Sequence, residues 1–168
     1  MFKKILLAVV MAIPFLASAQ TLKIGVVNVD VVVAAMPEFE TAQKTLAAND
    51  STYGVQLQRM QEEYQRLGEE VRKMGESELP AIRERKVRDV QDLEQKITLF
   101  VQQAQQDMEK KQAELLQPIT AKVRDAIESV SREGAFSMIL SYNPQLILSY
   151  AAPVEDVTTK VKTKLGLK

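Results

Sequence analysis

The apolar and polar residues of this chain are most regularly arranged in its middle part. From Tyr53 to Met74, and again from Val90 to Ala104, apolar residues recur at alternating steps of three and four. This spacing places them on one face of a helix, as in the seam of a coiled coil. The pattern predicts two long helices that pair along these faces. The first stripe contains Tyr53, Leu57, Met60, Tyr64, Leu67, Val71 and Met74, and the second contains Val90, Leu93, Ile97, Phe100 and Ala104.

A short break at residues 75–80, Gly-Glu-Ser-Glu-Leu-Pro, separates the two stripes. Pro37 suits the first position of a helix, whereas Pro118 lacks an amide donor, so we expect a helix start at the former and a kink or break at the latter. Folding the chain at the break predicts an antiparallel hairpin arm over residues 37–118, each limb reaching roughly 57 Å. In that register Tyr53 lies level with residues 100–104.

One point of the first limb departs from the coiled-coil spacing. The steps from Asn49 to Tyr53 and from Tyr53 to Leu57 are both four residues, which resembles a stutter that locally unwinds a supercoil. Gly54 lies at the same place. We therefore predict that Gly54 is the most flexible point of the arm.

The segments outside the arm predict a small β-rich body made of residues 20–36 and 119–168. Lys23 to Val29 reads as a buried strand, and Asp30 is expected to cap short helical turns, with a further strand as the alternative. Gly134 predicts the end of the helix that follows Pro118. Residues 135–140 and 146–150 predict a β-hairpin, after which Asp156 is expected to cap a last helix whose apolar face holds Val157, Val161 and Leu165.

These elements predict an α+β fold with about three strands, short helices and one long helical hairpin. A three-stranded sheet of this size is marginal by itself, and its edges carry unpaired backbone groups. Joining the sheets of several copies would cover those edges. We therefore expect an obligate homo-oligomer.

Residues 1–19 have the features of a secretory signal peptide. Lys3 and Lys4 precede an apolar run from Ile5 to Phe15, and Ala17-Ser-Ala19 provides small residues for cleavage. We expect cleavage after Ala19 and an exported, soluble mature chain. No later segment approaches eighteen consecutive apolar residues.

The composition argues against several classes of function. The chain has no His and no Cys, so disulfides and the commonest acid–base and metal-binding side chains are missing. It has 22 basic and 22 acidic residues, and removing Lys3 and Lys4 leaves a net charge near −2, which disfavours a nucleic-acid binder. No phosphate-binding glycine-rich loop occurs. We assign no catalytic, cofactor or metal residues and expect no enzyme activity.

The predicted tip of the arm is locally basic. Between residues 72 and 88 there are six basic residues against three acidic ones. Such a tip is a candidate contact for acidic clients or anionic lipid headgroups, and the simpler interpretation is a solvated helix end. The basic residues are Arg72, Lys73, Arg83, Arg85, Lys86 and Arg88, and the acidic ones are Glu76, Glu78 and Glu84.

The order of these features resembles the Skp/OmpH family of periplasmic chaperones over nearly all of the mature chain. The resemblance rests on the opening strand Lys23-Ile-Gly-Val-Val-Asn-Val29, on Ala35-Met-Pro-Glu38 entering a long helix, and on the charged hairpin. It continues with Leu115-Leu-Gln-Pro-Ile119, Gly134, the predicted β-hairpin and Asp156-Val-Thr-Thr-Lys-Val161. No single motif is specific, but their order and spacing together are.

The resemblance implies a jellyfish-like homotrimer, with a shared β body and helical arms that enclose a cavity. It also implies ATP-independent holding of unfolded outer-membrane proteins in the periplasm. The well-known family member is strongly basic, whereas this chain is near −2, so attraction of clients by net charge would depend on the tip. Apolar residues outside the seam are candidate client contacts, namely Val55, Leu79, Leu99 and Val101. The alternative is a structural or adaptor coiled-coil protein of the cell envelope.

Overall fold

A computed structural model describes residues 22–75, 79–143, 145, 147 and 149–167. The predicted signal peptide and residues 76–78 of the predicted turn lie outside the described residues. Seven elements occur in the described ranges. In chain order they are β1 (Ile24–Val27), α1 (Val29–Ala34), α2 (Pro37–Lys73), α3 (Pro80–Glu133), β2 (Met138–Ser141), β3 (Val154–Asp156) and α4 (Thr158–Lys164).

The chain divides into two compact units. One consists of the described parts of residues 1–32 and 123–168, and is called the sheet unit below; the other, residues 33–122, is called the arm. The boundaries between the units fall within a few residues of Pro37 and Pro118. Each unit is described by itself.

The sheet unit contains a three-stranded sheet in the order β2, β1, β3. Both outer strands run parallel to β1, with Ile24 opposite Met138 on one side and Val154 on the other. Parallel neighbours cannot be joined by a tight turn, because the chain must cross back to the same end of the sheet. The long insertion between β1 and β2 makes that crossing for the first pair.

The predicted β-hairpin is therefore wrong. Its first limb corresponds to β2, but β2 pairs with β1 in parallel, and the third strand is Val154–Asp156. The described residues in the expected second limb, 147, 149 and 150, are not in a strand, whereas 146 and 148 lie outside the described residues. The sequence Val-Glu-Asp carries two charges, so its strand character comes from pairing with β1 and not from local propensity.

The core of the sheet unit is small and almost fully apolar. Its buried residues come from β1, α1, the last part of α3 and α4, and Val32, Val157 and Val161 are completely buried. No polar or charged side chain is buried in the described residues. The remaining members of the core are Val26, Val27, Val123, Ala126, Val130 and Phe136.

The short helices of this unit begin one or two residues away from their expected positions. The helical interpretation of the segment after β1 is confirmed, but α1 starts at Val29, and Asn28 Oδ1 accepts a hydrogen bond from the Val31 amide at 3.1 Å. Asn28 thus takes the role predicted for Asp30. At α4, Asp156 Oδ1 accepts from the Thr158 amide at 2.8 Å, although Val157 occupies the residue before the helix.

The end of α3 at Gly134 is confirmed. A Cβ on Gly134 would lie 2.3 Å from Cε2 of Phe136 and 3.0 Å from the carbonyl oxygen of Val130. The next residue, Ala135, has a φ of 51°, in the left-handed region that commonly follows a helix end. Close packing of the Phe136 ring, and not an unusual backbone conformation, therefore favours glycine at residue 134.

The break predicted at Pro118 is wrong, because α3 runs without interruption from Pro80 to Glu133. A proline removes one amide donor, but this 54-residue helix continues to Glu133 beyond it. The Thr120 hydroxyl donates to the carbonyls of Leu116 and Gln117 at 3.1 and 3.0 Å, beside the proline.

The arm contains α2, which begins at Pro37 as predicted, and most of α3. The residues of both predicted stripes are half-buried, whereas the positions between them are mostly exposed. Ala42 is the one fully buried residue of α2. The arm is therefore held by a narrow apolar seam and has little core of its own.

Candidate functional site on the helical arm

The middle of the arm is fixed by an aromatic and polar contact between its two helices. The Tyr53 and Phe100 rings pack edge to face, with centroids 6.0 Å apart and planes at 62°. The Tyr53 hydroxyl donates to Asp107 Oδ2 at 3.2 Å, and Gln103 donates to the other oxygen of this carboxylate at 2.9 Å. Partial burial, and then the Asp107 charge, raises the pKa of Tyr53. This contact confirms the predicted antiparallel register.

Two ion pairs join the helices elsewhere in the arm. Lys86 Nζ lies 2.7 Å from a carboxylate oxygen of Glu70, and Lys122 Nζ lies 2.7 Å from one of Glu38. In each case the hydrogen bond from lysine holds the pKa of the glutamate below its ordinary value. Solvent-accessible pairs of this kind stabilise weakly but add charge complementarity along the seam.

The four candidate apolar contact residues all lie on the surface of the arm. Leu79 and Leu99 are 66% and 64% exposed, and Val55 and Val101 are 47% and 44% exposed. Ile82 and Val87 are also exposed. Neither falls in the run of three- and four-residue steps that begins at Val90, so its spacing already set it apart. The arm thus presents separate apolar side chains between charged ones.

The basic candidates of the tip are divided between the end of α2 and the first turns of α3. Lys86 is half-buried and pairs with Glu70, and Lys73 pairs with Glu69 on its own helix at 3.4 Å. Arg83, Arg85 and Arg88 are exposed, as is Arg72, whose Nε donates to the Gly68 carbonyl at 3.4 Å. Glu76 and Glu78 lie outside the described residues. The structure thus engages two lysines of the basic group in ion pairs and leaves the arginine side chains at the surface.

Gly54, the predicted flexible point, lies inside the continuous helix α2 and is exposed. A Cβ placed on it would meet nothing within 4 Å. Glycine is therefore not required there by packing, and its flexibility stays a prediction.

A second cluster of charged groups lies in the sheet unit and had no distinct sequence signal. Lys23 Nζ donates to the Gly134 carbonyl at 3.0 Å, lies 4.1 Å from the centre of the Phe136 ring and pairs with Glu155. Lys160 also binds Glu155, and its hydrogen bond holds the pKa of that carboxyl below the ordinary value. These contacts join β1, β3 and the end of α3, so the cluster stabilises the sheet unit.

In the described ranges, no group of three or more acidic, His or Cys side chains is arranged to hold a metal ion. The same ranges contain no helix with the length and apolar character needed to cross a membrane.

Taken together, the fold defines a class of α+β proteins in which a long helical hairpin is inserted between parallel strands of a small sheet. Residues 23–165 match the family described as "Outer membrane protein (OmpH-like)", and the chain belongs to this family. The resemblance drawn from the sequence is confirmed.

Two curated relatives carry the name "Chaperone protein Skp". The protein of Yersinia enterocolitica is 28% identical over 145 residues, which cover 86% of this chain and 87% of the relative. The protein of Pectobacterium atrosepticum is 25% identical over 139 residues, covering 83% and 82%. In both cases the similarity extends over the sheet unit and the arm alike.

Proposed function

We propose that this protein is an ATP-independent holdase chaperone of the periplasm, which binds unfolded outer-membrane proteins and prevents their aggregation. The observation that carries the proposal is the surface of the arm, where exposed Leu79, Leu99 and other apolar side chains stand singly among charged residues. Scattered weak contacts suit unfolded partners, because many segments bind without a fixed register. The family and the name of the two relatives support the same function. Export follows from the signal peptide expected at residues 1–19.

The proposal includes a homo-oligomer, with a trimer as the expected state and clients held in a cavity between the arms. In the sheet unit, β2 is an edge strand, and Met138 and Leu140 on one of its faces are 43% and 46% exposed. Leu22 and Val31 of the same unit are also exposed. An edge strand with apolar side chains is a natural surface for a second copy. The mass of the mature protein in solution, measured by sedimentation, tests the trimer.

The holdase function is tested by diluting a urea-unfolded outer-membrane β-barrel protein into buffer and following light scattering. Stoichiometric oligomer is expected to suppress the scattering, and unchanged aggregation would contradict the proposal. Removal of residues 72–88 distinguishes the adaptor alternative. An adaptor would lose one specific partner, whereas a holdase would lose affinity gradually for many clients. The same deletion tests transient contact of the basic tip with vesicles of anionic lipid.

A further inference from the structure

Two segments of the arm, of eight and ten residues, contain no charged side chain. Residues 51–58 and 97–106 contain no Asp, Glu, Lys or Arg. In contrast, residues 59–74 contain eight charged side chains and residues 80–96 contain nine. The two uncharged segments are far apart in sequence, so their coincidence in space is a property of the hairpin register.

The Tyr53–Phe100 contact shows that the two segments lie side by side, since its ring centroids are 6.0 Å apart. We call residues 51–58 and 97–106 together the neutral belt. Both segments are helical throughout, so the belt extends about 12 to 15 Å along the arm. Towards the tip it is followed by the highly charged segments 59–74 and 80–96, and at its other end it is bordered by Asp50 and Asp107.

The surface of the neutral belt combines exposed apolar groups with side-chain amides. Val55, Leu99 and Val101 are exposed within it. At its edge a shallow concavity is lined by Leu99 and Phe100, by Met60 and Lys96, and by glutamines 102, 103 and 106. Carboxamides both donate and accept hydrogen bonds, as a polypeptide backbone does. Apolar side chains and backbone groups of an extended chain would therefore both find partners here.

Desolvation favours the belt over the rest of the arm as a binding surface for uncharged chain. Covering a charged side chain removes it from water at a cost that is recovered only if a well-placed opposite charge is supplied. Segments without charges supply none, and the residues of the neutral belt itself carry no charge that would have to leave water. Charged segments of a client would instead bind the charged parts of the arm next to the belt.

We propose that the neutral belt is the part of the arm that holds uncharged, apolar segments of an unfolded polypeptide. The inference rests on the proposed holdase function and specifies which chemistry of the client is recognised, and where. A second copy of the arm is the other conceivable occupant, and solution mass distinguishes it.

The chain offers a matched set of residues for the test. Val101 and Ile82 have nearly equal exposure, 44% and 43%, and Val55 and Val87 are similar, at 47% and 38%. Only the first member of each pair lies in the belt. The double variants Val101→Lys with Val55→Lys, and Ile82→Lys with Val87→Lys, therefore remove apolar groups of similar size and exposure and add the same charge. Circular dichroism verifies that each is folded.

The measurement is the Kd of each mature variant for a dye-labelled, urea-unfolded β-barrel protein, followed by fluorescence anisotropy after dilution. The belt variant is expected to bind roughly tenfold more weakly, as an added cost of about 1.4 kcal/mol would produce. The control variant is expected to change less than about twofold. Glutamates in place of the lysines should weaken binding at the belt equally, since desolvation is independent of the sign of the charge.

Each other outcome has a distinct meaning. Equal weakening by the belt and control variants would overturn the belt while leaving the holdase function intact. Failure of the unchanged protein to bind the client would overturn the holdase function itself. Normal client binding by the belt variant together with a reduced solution mass would show that the belt contacts another copy, and would also overturn the inference.

Discussion

The sheet unit and the arm are stabilised in different ways. The sheet unit closes a small core in which Val32, Val157 and Val161 are fully buried, although strands β2 and β3 have only four and three residues. The arm has two long helices, but its apolar residues form a half-buried stripe. Truncating one residue of a packed core lowers the free energy of unfolding strongly. Truncating one residue of a half-buried stripe lowers it by a smaller amount. The arm can therefore expose apolar groups for binding without destabilising the core that holds the sheet.

The largest effect is expected from a charge in the core of the sheet unit. Val161→Asp places a carboxylate at a position with no exposure, which costs more than about 3 kcal/mol and unfolds the unit. Thermal unfolding followed by circular dichroism measures the loss. Val101→Asp, at an exposed position of the arm, is the control and should change stability by less than about 0.5 kcal/mol. A folded sheet unit in the Val161→Asp variant would show that this core tolerates a buried charge and would contradict the expectation.

The next effect is expected at the end of α3. Gly134→Ala brings a Cβ within 2.3 Å of the Phe136 ring and is expected to cost about 1–3 kcal/mol, because the ring is buried and must move. Urea unfolding gives the change in free energy. An unchanged midpoint would show that the sheet unit tolerates rearrangement around Phe136 and is less tightly packed than its burial indicates.

An intermediate effect is expected in the seam of the arm. Phe100→Ala removes the edge-to-face contact with Tyr53 and should destabilise the arm by about 1–2 kcal/mol, less than a fully buried phenylalanine would. Amide hydrogen exchange should accelerate in the arm and remain unchanged in β1. The neighbouring Leu99→Ala serves as control, since its side chain lies outside the seam. Faster exchange in both units would mean that they unfold together.

A smaller effect of opposite sign is expected at Gly54. Because nothing lies within 4 Å of its Cβ position, Gly54→Ala should stabilise α2 by about 0.5–1 kcal/mol through helix propensity alone. Slower amide exchange around residue 54 would support the predicted flexible point. A destabilised arm, in contrast, would show that glycine has a packing role there, as it has at residue 134.

The smallest effect is expected from acid. Hydrogen bonds from lysine lower the pKa values of Glu38 and Glu70 in the folded arm, so their contribution to stability is complete above the unfolded pKa and is lost as pH falls through the lowered folded value. Thermal unfolding should shift slightly downward below about pH 4. The double variant Glu38→Gln with Glu70→Gln should show a smaller shift. Hydrogen bonds from lysine also lower the pKa values of Glu133 and Glu155 in the sheet unit. Only a comparison of the double variant with the wild type therefore assigns the shift to the arm.

Much of the arm was predictable because its structure depends on contacts that are local in sequence or repeated at a fixed spacing. The start of α2 at Pro37, the half-buried stripe and the pairing of Tyr53 with Phe100 all follow from steps of three and four residues around a short break. The exposed candidates Leu79 and Leu99 were identifiable for the same reason, since they fall outside the stripe. The candidate site was thus largely visible in the sequence, except for the neutral belt, which needs both helices to be placed side by side.

Most elements of the sheet unit were predictable from the sequence, but the pairing of its strands was not. Sequence by itself determined that β-branched segments surround a helical hairpin and that α3 ends at Gly134. Tertiary structure alone decided that β2 and β3 both run parallel to β1, that a charged tripeptide forms β3, and that Lys23 reaches the end of α3. The physical reason is distance along the chain: Ile24 pairs with Met138 and Val154, and no local propensity encodes a partner more than one hundred residues away.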